Sequence, residues 1–238
     1  MATNSIREQI IAAIVTRLAD IRTAKGYNTE AGRYVNRAEP KPNWDETPYI
    51  TVFPGEEEAI QKYEVAFHQM SVNLIASQAF ASSSPSTIAE YLHGDLIECM
   101  TAIERAMTFT SGGTYTPIVG NTITGATSGA TAYIEAVTLS TGTWASGDAA
   151  GSFTLRRKTG TFQAENLNIG ANLNVATITG EPTGTTVVTN VTGGLADRVL
   201  YAGGGVTEWP GPDETLVGVT CAFRVDYQTV SGDPYHQP

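Results

Sequence analysis

Between Phe109 and Thr192 the chain carries only seven charged residues, and no other feature constrains its fold as strongly. The stretch is rich in threonine and glycine; GATSGATAYIEAVTLSTGTWASGDAAGSFTL fills residues 125–155. Short strand-forming runs (TAYIEAV, GSFTL, LNVATI, TTVVTNV) are punctuated by glycine. One phrase recurs as TGTW at 141–144, TGTF at 159–162 and TGTT at 183–186. Such spacing predicts a small all-β module, a sandwich or meander of the Ig-like or decoration type. An insert is tolerated where its two ends lie close together. The module is therefore expected to occupy 109–192 inside a discontinuous host domain formed by 1–108 and 193–238.

The flanks read differently. Ser5 and Glu8 have capping-box spacing. Ile6, Ile10, Ile14, Leu18 and Ile21 then share one face of an expected five-turn helix, with Gly26 as its stop. A proline-rich link at 39–48 leads to a short buried strand at 49–53, ended by Pro54 and Gly55. A longer strand runs from Tyr63 to about Ile75. Tyr63, Val65 and Phe67 read as its apolar phase and His68 as part of its polar phase, with a slip at Gln69 and Met70 that predicts a bulge. After the loop at 81–86, where Ser84 is the expected cap and Pro85 the first helical residue, a second long helix is traced by Ile88, Leu92, Leu96, Cys99, Ile103 and Met107. Past the insert, 199–201 reads as a short strand and 203–211 as a loop. The last strand, 215–229, puts Val217, Val219, Cys221, Phe223, Val225 and Tyr227 on one face. The expected fold class is α+β: a mixed or antiparallel sheet with two long helices packed on one face, plus the inserted all-β module.

Composition narrows the functional classes. Net charge is −10, and 20 of the 24 acids fall outside the insert, so a basic stripe for gripping nucleic acid is not expected. The one dense basic cluster, Arg156-Arg157-Lys158, reads as a solvated hairpin turn. The longest early apolar run, IIAAIV at 10–15, is too short to cross a bilayer, and its flanking charges do not fit a signal peptide. Cys99 and Cys221 fall on apolar phases as small core residues, in keeping with maturation in a reducing cytoplasm. Zinc-protease, CxxC, nucleophile-elbow, P-loop and EF-hand patterns are all missing from the sequence. His68, His93 and His236 are scattered, and Gly203–Gly204–Gly205 opens no helix. Glu56-Glu57-Glu58 reads as a solvated turn, and the sequon at Asn190 carries no weight in a cytoplasmic product. The expectation is a non-enzyme with no catalytic, metal-binding or cofactor-binding residues and no cofactor.

The flanking segments, taken in order, resemble a known family. They are REQIIAAIVTRLADI, DETPYITVFPGEEE, YEVAFHQMSVNLIA, AIERAM, LADRVLYAGGGVTEWPG and LVGVTCAFRVDYQTVSGDPY. This set is similar to the tail-terminator (tail-completion) proteins of long-tailed bacteriophages over about 150 of the 238 residues. The insert is a departure from the compact form of that family and looks like the Thr/Gly-rich β modules of phage virion proteins. The resemblance implies a homo-oligomer, usually a hexameric ring, that caps the tail tube and stops its polymerisation. Its partners would be the major tail tube protein and a head-completion or neck protein, and DNA would pass through the ring without specific binding. No membrane is implied, and the location would be the tail or neck of a virion assembled in the bacterial cytoplasm. Candidate interface residues are Pro54, Gly55, Glu56, Glu57, Glu58, Asp233, Pro234 and Tyr235. The alternative is another neck or minor tail protein whose insert binds a host glycan or a partner protein through exposed aromatics such as Tyr133 and Trp144.

Overall fold

The computed structural model describes residues 4–38, 47–80, 84–181, 192–208 and 215–238. The link at 39–46, the third TGT phrase at 183–186, Asn190 and the end of the 203–211 loop lie outside them. Strand accounts for 52% of the described residues and helix for 18%. The expectation of an α+β fold, a sheet with two long helices packed on one face, is therefore corrected: among the described residues the chain is mostly β, with two α-helices of modest length and two separate sheets.

The chain divides into two units. The first comprises Met1–Thr23, Tyr27–Thr101 and Thr189–Pro238. Its elements are α1 (Ile6–Leu18), β1 (Tyr34–Arg37), β2 (Tyr49–Lys62), β3 (Val65–Ala79), α2 (Pro85–Thr101), β10 (Ala196–Glu208) and β11 (Leu216–Val230). The five strands form one sheet in the order β1-β2-β3-β11-β10. β1 joins β2 in parallel, and all other pairings are antiparallel. β3 and β11 pair without a break from Val65–Val230 to Ala79–Leu216, so segments distant in sequence form the centre of the sheet.

Both helices stop short of their expected lengths. The Ser5 hydroxyl accepts the Glu8 amide, as the sequence implies, but the Glu8 carboxylate turns to Arg37 and α1 ends at Leu18. Ile21 stays buried beyond the helix end. α2 ends at Thr101, although helical spacing in the sequence continues to Met107. Ile103 is instead exposed, and Met107 belongs to the core of the other unit. Ile10, Ile11, Ile14, Leu92, Leu96 and Cys99 from the helices meet Val72, Leu74, Val219 and Phe223 from the sheet in one dry cluster. Burial of this kind, at roughly 25 cal/mol per Å² of apolar surface, is the main favourable contribution to folding.

Two strand assignments change as well. β3 keeps one phase throughout: Ala66, Met70, Val72, Leu74 and Ala76 are buried, while Phe67 and Ile75 are exposed. The apparent slip comes from apolar residues on the open face, and the bulge lies instead in β2, between Pro54 and Glu57. β2 does not stop at Pro54-Gly55 but runs on through Glu56, Glu57 and Glu58 to Lys62. β10 likewise passes straight through the triple glycine. Gly203, Gly204 and Gly205 have φ of 145°, 155° and 153°, and a Cβ on Gly204 would stand 2.2 Å from the Thr220 carbonyl oxygen. Only glycine fits that approach.

The second unit comprises Ala24–Gly26 and Ala102–Val188. It is a closed six-stranded barrel, not a sandwich or an open meander. Its strands are β4 (Arg105–Gly112), β5 (Thr122–Gly125), β6 (Thr131–Thr141), β7 (Ala150–Thr159), β8 (Ala164–Ile169) and β9 (Asn172–Thr179). Around the barrel they follow the order β4-β7-β6-β5-β8-β9. Closure removes both sheet edges, which suits a segment with few charges to guard them. Phe109 stacks on Trp144 and on Phe153 at its centre, with centroids 5.1 and 4.5 Å apart. Trp144 is only 7% exposed, so the expectation of an exposed binding aromatic there is corrected: it is core.

The basic triplet is not a solvated turn either. It lies in β7, where Arg156 is fully buried. Arg156 donates to Glu135 at 2.6 Å and to the Lys25 carbonyl, and its guanidinium lies 5.4 Å from the Tyr133 ring centroid. Tyr133 is partly buried and also lies beside Arg157, whose guanidinium is 5.3 Å from the ring centroid.

Candidate functional site

The features that set the first unit apart are the two borders of its sheet. β1 covers β2 only from Tyr49 to Val52, so among the described residues no strand pairs with the outer side of β2 from 53 to 62. β10 ends the other side, and no described strand lies beyond it. Past the bulge, β2 is regular: Glu57 to Lys62 pair in unbroken register with Met70 to Val65. Both borders therefore present rows of backbone donors and acceptors suited to pairing with another strand.

The inward side chains near the β2–β3 hairpin form a polar knot. Glu57 accepts the Tyr227 hydroxyl at 2.7 Å and the His68 Nδ1 contact at 3.0 Å, and it pairs with Arg7 Nε at 3.3 Å. His68 Nε2 meets the Thr229 hydroxyl at 2.9 Å, and its ring stacks on Tyr227 with centroids 4.7 Å apart. Burial raises the Tyr227 phenol, and the neighbouring Glu57 carboxylate raises it further. The sequence of carboxylate, imidazole and hydroxyl has the connectivity of an acyl-transfer triad. Thr229 is only 3% exposed, however, and its hydroxyl is buried where a nucleophile would have to meet substrate. The knot braces the hairpin.

The opposite face carries an open groove of about 490 Å³, whose lining includes Glu58, Ile60, Phe67, Gln69, Asp226 and Arg198. Ile60 is 72% and Phe67 44% exposed. Arg198 pairs with Asp226 at 2.6 Å, as does Arg224 at 3.2 Å. At the hairpin tip Tyr63 is 92% exposed with φ of +57°, a left-handed conformation that a bulky aromatic rarely adopts.

The candidate interface residues fall into two groups that α1 brings together. Arg7 donates to the Gly55 carbonyl at 2.7 Å and pairs with Glu57, while the Ile6 amide donates to the Pro234 carbonyl at 2.9 Å. Pro54, Gly55, Glu56, Glu57 and Glu58 lie on β2. Asp233 closes a small C-terminal turn: it accepts from His236 at 2.6 Å and from the Tyr235 amide at 3.0 Å, and the His236 hydrogen bond lowers its carboxyl below the usual range. Tyr235 is exposed. Sequence reasoning does not single out Arg7, Arg198 or Tyr227 for this site, and it weighs His68 only as a member of a scattered set with carboxylates. Their convergence depends on strand register, and the only local signal is the apolar Phe67 beside a histidine.

Among the described residues no group of three or more His, Cys, Asp or Glu side chains is arranged to hold a metal ion. Compared with known proteins, the chain matches no protein family and no curated protein.

Proposed function

We propose that this chain is a structural assembly protein that works as a closed ring of copies, the tail terminator of a long-tailed phage. In that role it caps the tail tube, stops its polymerisation and joins it to head-completion or neck proteins. The observation that carries the reading is the pair of open borders on one sheet, β2 from 53 to 62 and β10 along its length. A surface with two different, complementary borders generates a ring when the rotation between copies closes. The ordered resemblance of the flanking segments supports the same reading. A strand border that carries Glu56, Glu57 and Glu58 discourages indiscriminate edge pairing while leaving room for a specific partner.

The test is assembly. Purified full-length protein, alone and mixed with polymerising tail tube protein, is followed by sedimentation velocity and negative-stain imaging. Rings, or tubes capped at one end and arrested in length, are expected. A chain that stays monomeric at every concentration and never associates with tubes refutes the reading.

A further inference from the structure

We infer that the junction between copies is made by β10 of one copy pairing antiparallel with the free half of β2 of the next, in a register set by Glu58 against Arg198. The inference rests on the ring reading and specifies its interface.

Direction comes first. β2 is antiparallel to β3, β3 to β11 and β11 to β10, so β2 and β10 of one chain run in opposite senses. Copies related by rotation about a ring axis keep the same sense, and a neighbour's β10 therefore meets β2 antiparallel. Height comes next. Glu58 is registered with Gln69, Gln69 with Asp226 and Asp226 with Arg198, so the four residues form one row across the sheet. Joining Arg198 of each copy to Glu58 of the next adds every copy at the same height, the condition for closing a ring instead of climbing into a spiral.

Charge then selects the partner. The Glu56–Glu58 run sits at the open border, and no partner for Glu58 is found among the described residues. Two β2 borders brought together face to face would crowd these acids, whereas β10 offers a cation. The Arg198 side chain is 59% exposed at the opposite border and holds Asp226 on one side only. A guanidinium has five donors in a planar fork, enough to bridge Asp226 of its own sheet and Glu58 of the neighbour. The same contact would cover Ile60, the most exposed aliphatic side chain of the groove. One repeated contact thus pairs about 53–60 of β2 with 196–203 of β10, while 204–208 run past the free half of β2 towards the stretch that β1 already holds.

The experiment is charge exchange in the full-length chain, read by sedimentation velocity over a concentration series. Glu58→Arg and Arg198→Glu are each expected to weaken self-association at least about tenfold, and the double variant to restore it. An independent arm places Glu58→Cys and Arg198→Cys in one chain. Three strand spacings, roughly 14 Å, separate these positions within a copy, so a disulfide can form only between copies. Cys99 and Cys221 are buried and do not compete. Oxidation should give a ladder of covalent oligomers on a non-reducing gel. Self-association that neither charge change alters, with no ladder, overturns the interface and leaves the ring reading standing. So does a two-fold β2–β2 dimer that is indifferent to Arg198→Glu. Failure of the unaltered chain to associate at all defeats both.

Discussion

The Glu57 carboxylate on β2 accepts the Tyr227 hydroxyl of β11 at 2.7 Å, across the full width of β3, since these two strands do not pair with each other. That bond ties the far half of the open-bordered strand to the centre of the sheet. Tyr227→Phe keeps the ring and its stacking on His68 but removes the donor. It should lower stability by about 1.5–3 kcal/mol, the usual cost of losing a hydrogen bond to a charged acceptor. Urea unfolding measures it, and an unchanged midpoint would mean that the bond contributes nothing.

Gly204 makes a sharper demand. Its φ of +155° and the mere 2.2 Å that would separate an added Cβ from the Thr220 carbonyl oxygen leave no room for a side chain. Gly204→Ala should destabilise the protein by about 2 kcal/mol or more. Gly203→Ala and Gly205→Ala, where a Cβ meets nothing within 4 Å, should cost about 1 kcal/mol from backbone strain alone. Equal effects at all three positions would contradict the close approach at Gly204.

In the barrel, Glu165 accepts hydrogen bonds from the Thr127 and Ser128 amides, the Ser128 hydroxyl and the Gln163 amide, and is 6% exposed. Burial opposes its ionisation, but the four donors prevail and lower its pKa from 4.5 to about 2. A depressed carboxyl contributes stability that is present above its unfolded value and is lost as pH falls. At about 1.4 kcal/mol per unit this amounts to at most about 3.5 kcal/mol, less what solvent screens, disappearing between about pH 4.5 and 2. Glu165→Gln should be less stable at neutral pH and should flatten the acid limb of the stability curve over that window. An acid limb of unchanged slope would remove Glu165 from the account.

Tyr63 stores strain at the hairpin tip. Tyr63→Asn, a residue that tolerates the left-handed region, should raise stability by about 0.5–1 kcal/mol, because the 92%-exposed ring gives up little packing. Thermal unfolding checks the sign. A loss of stability would show that the ring packs in a way its exposure does not suggest.

Periodicity makes the buried face of β11 readable, since every second residue from Val217 to Tyr227 is buried and only Gly218 between them is buried as well. It misleads on β3, where Val65 and Phe67 are apolar yet lie on the open face, and hydrophobicity alone cannot distinguish an inward residue from an unpartnered one. Helical spacing through Ile103 and Met107 continues by coincidence into β4, because alternation and helical pitch agree over so short a span. The glycine-punctuated strands of the insert are visible in the sequence, but their closure is not, since it depends on β4 pairing with both β7 and β9. Glu56, Glu57 and Glu58 are legible as a charged group. Their place on an open strand border, in the same row as Arg198, emerges only from register.

The tripeptide Ala24–Gly26 belongs with the barrel, although it precedes the barrel's first strand by a long stretch of sequence. Its Lys25 and Gly26 carbonyls accept from Arg156 and Arg157. A graft of residues 102–188 into a foreign host would thus carry a fully buried guanidinium stripped of one of its acceptors. The portable form of this module is a two-piece one, and any scheme for transplanting or trimming it has to supply a substitute for those upstream carbonyls.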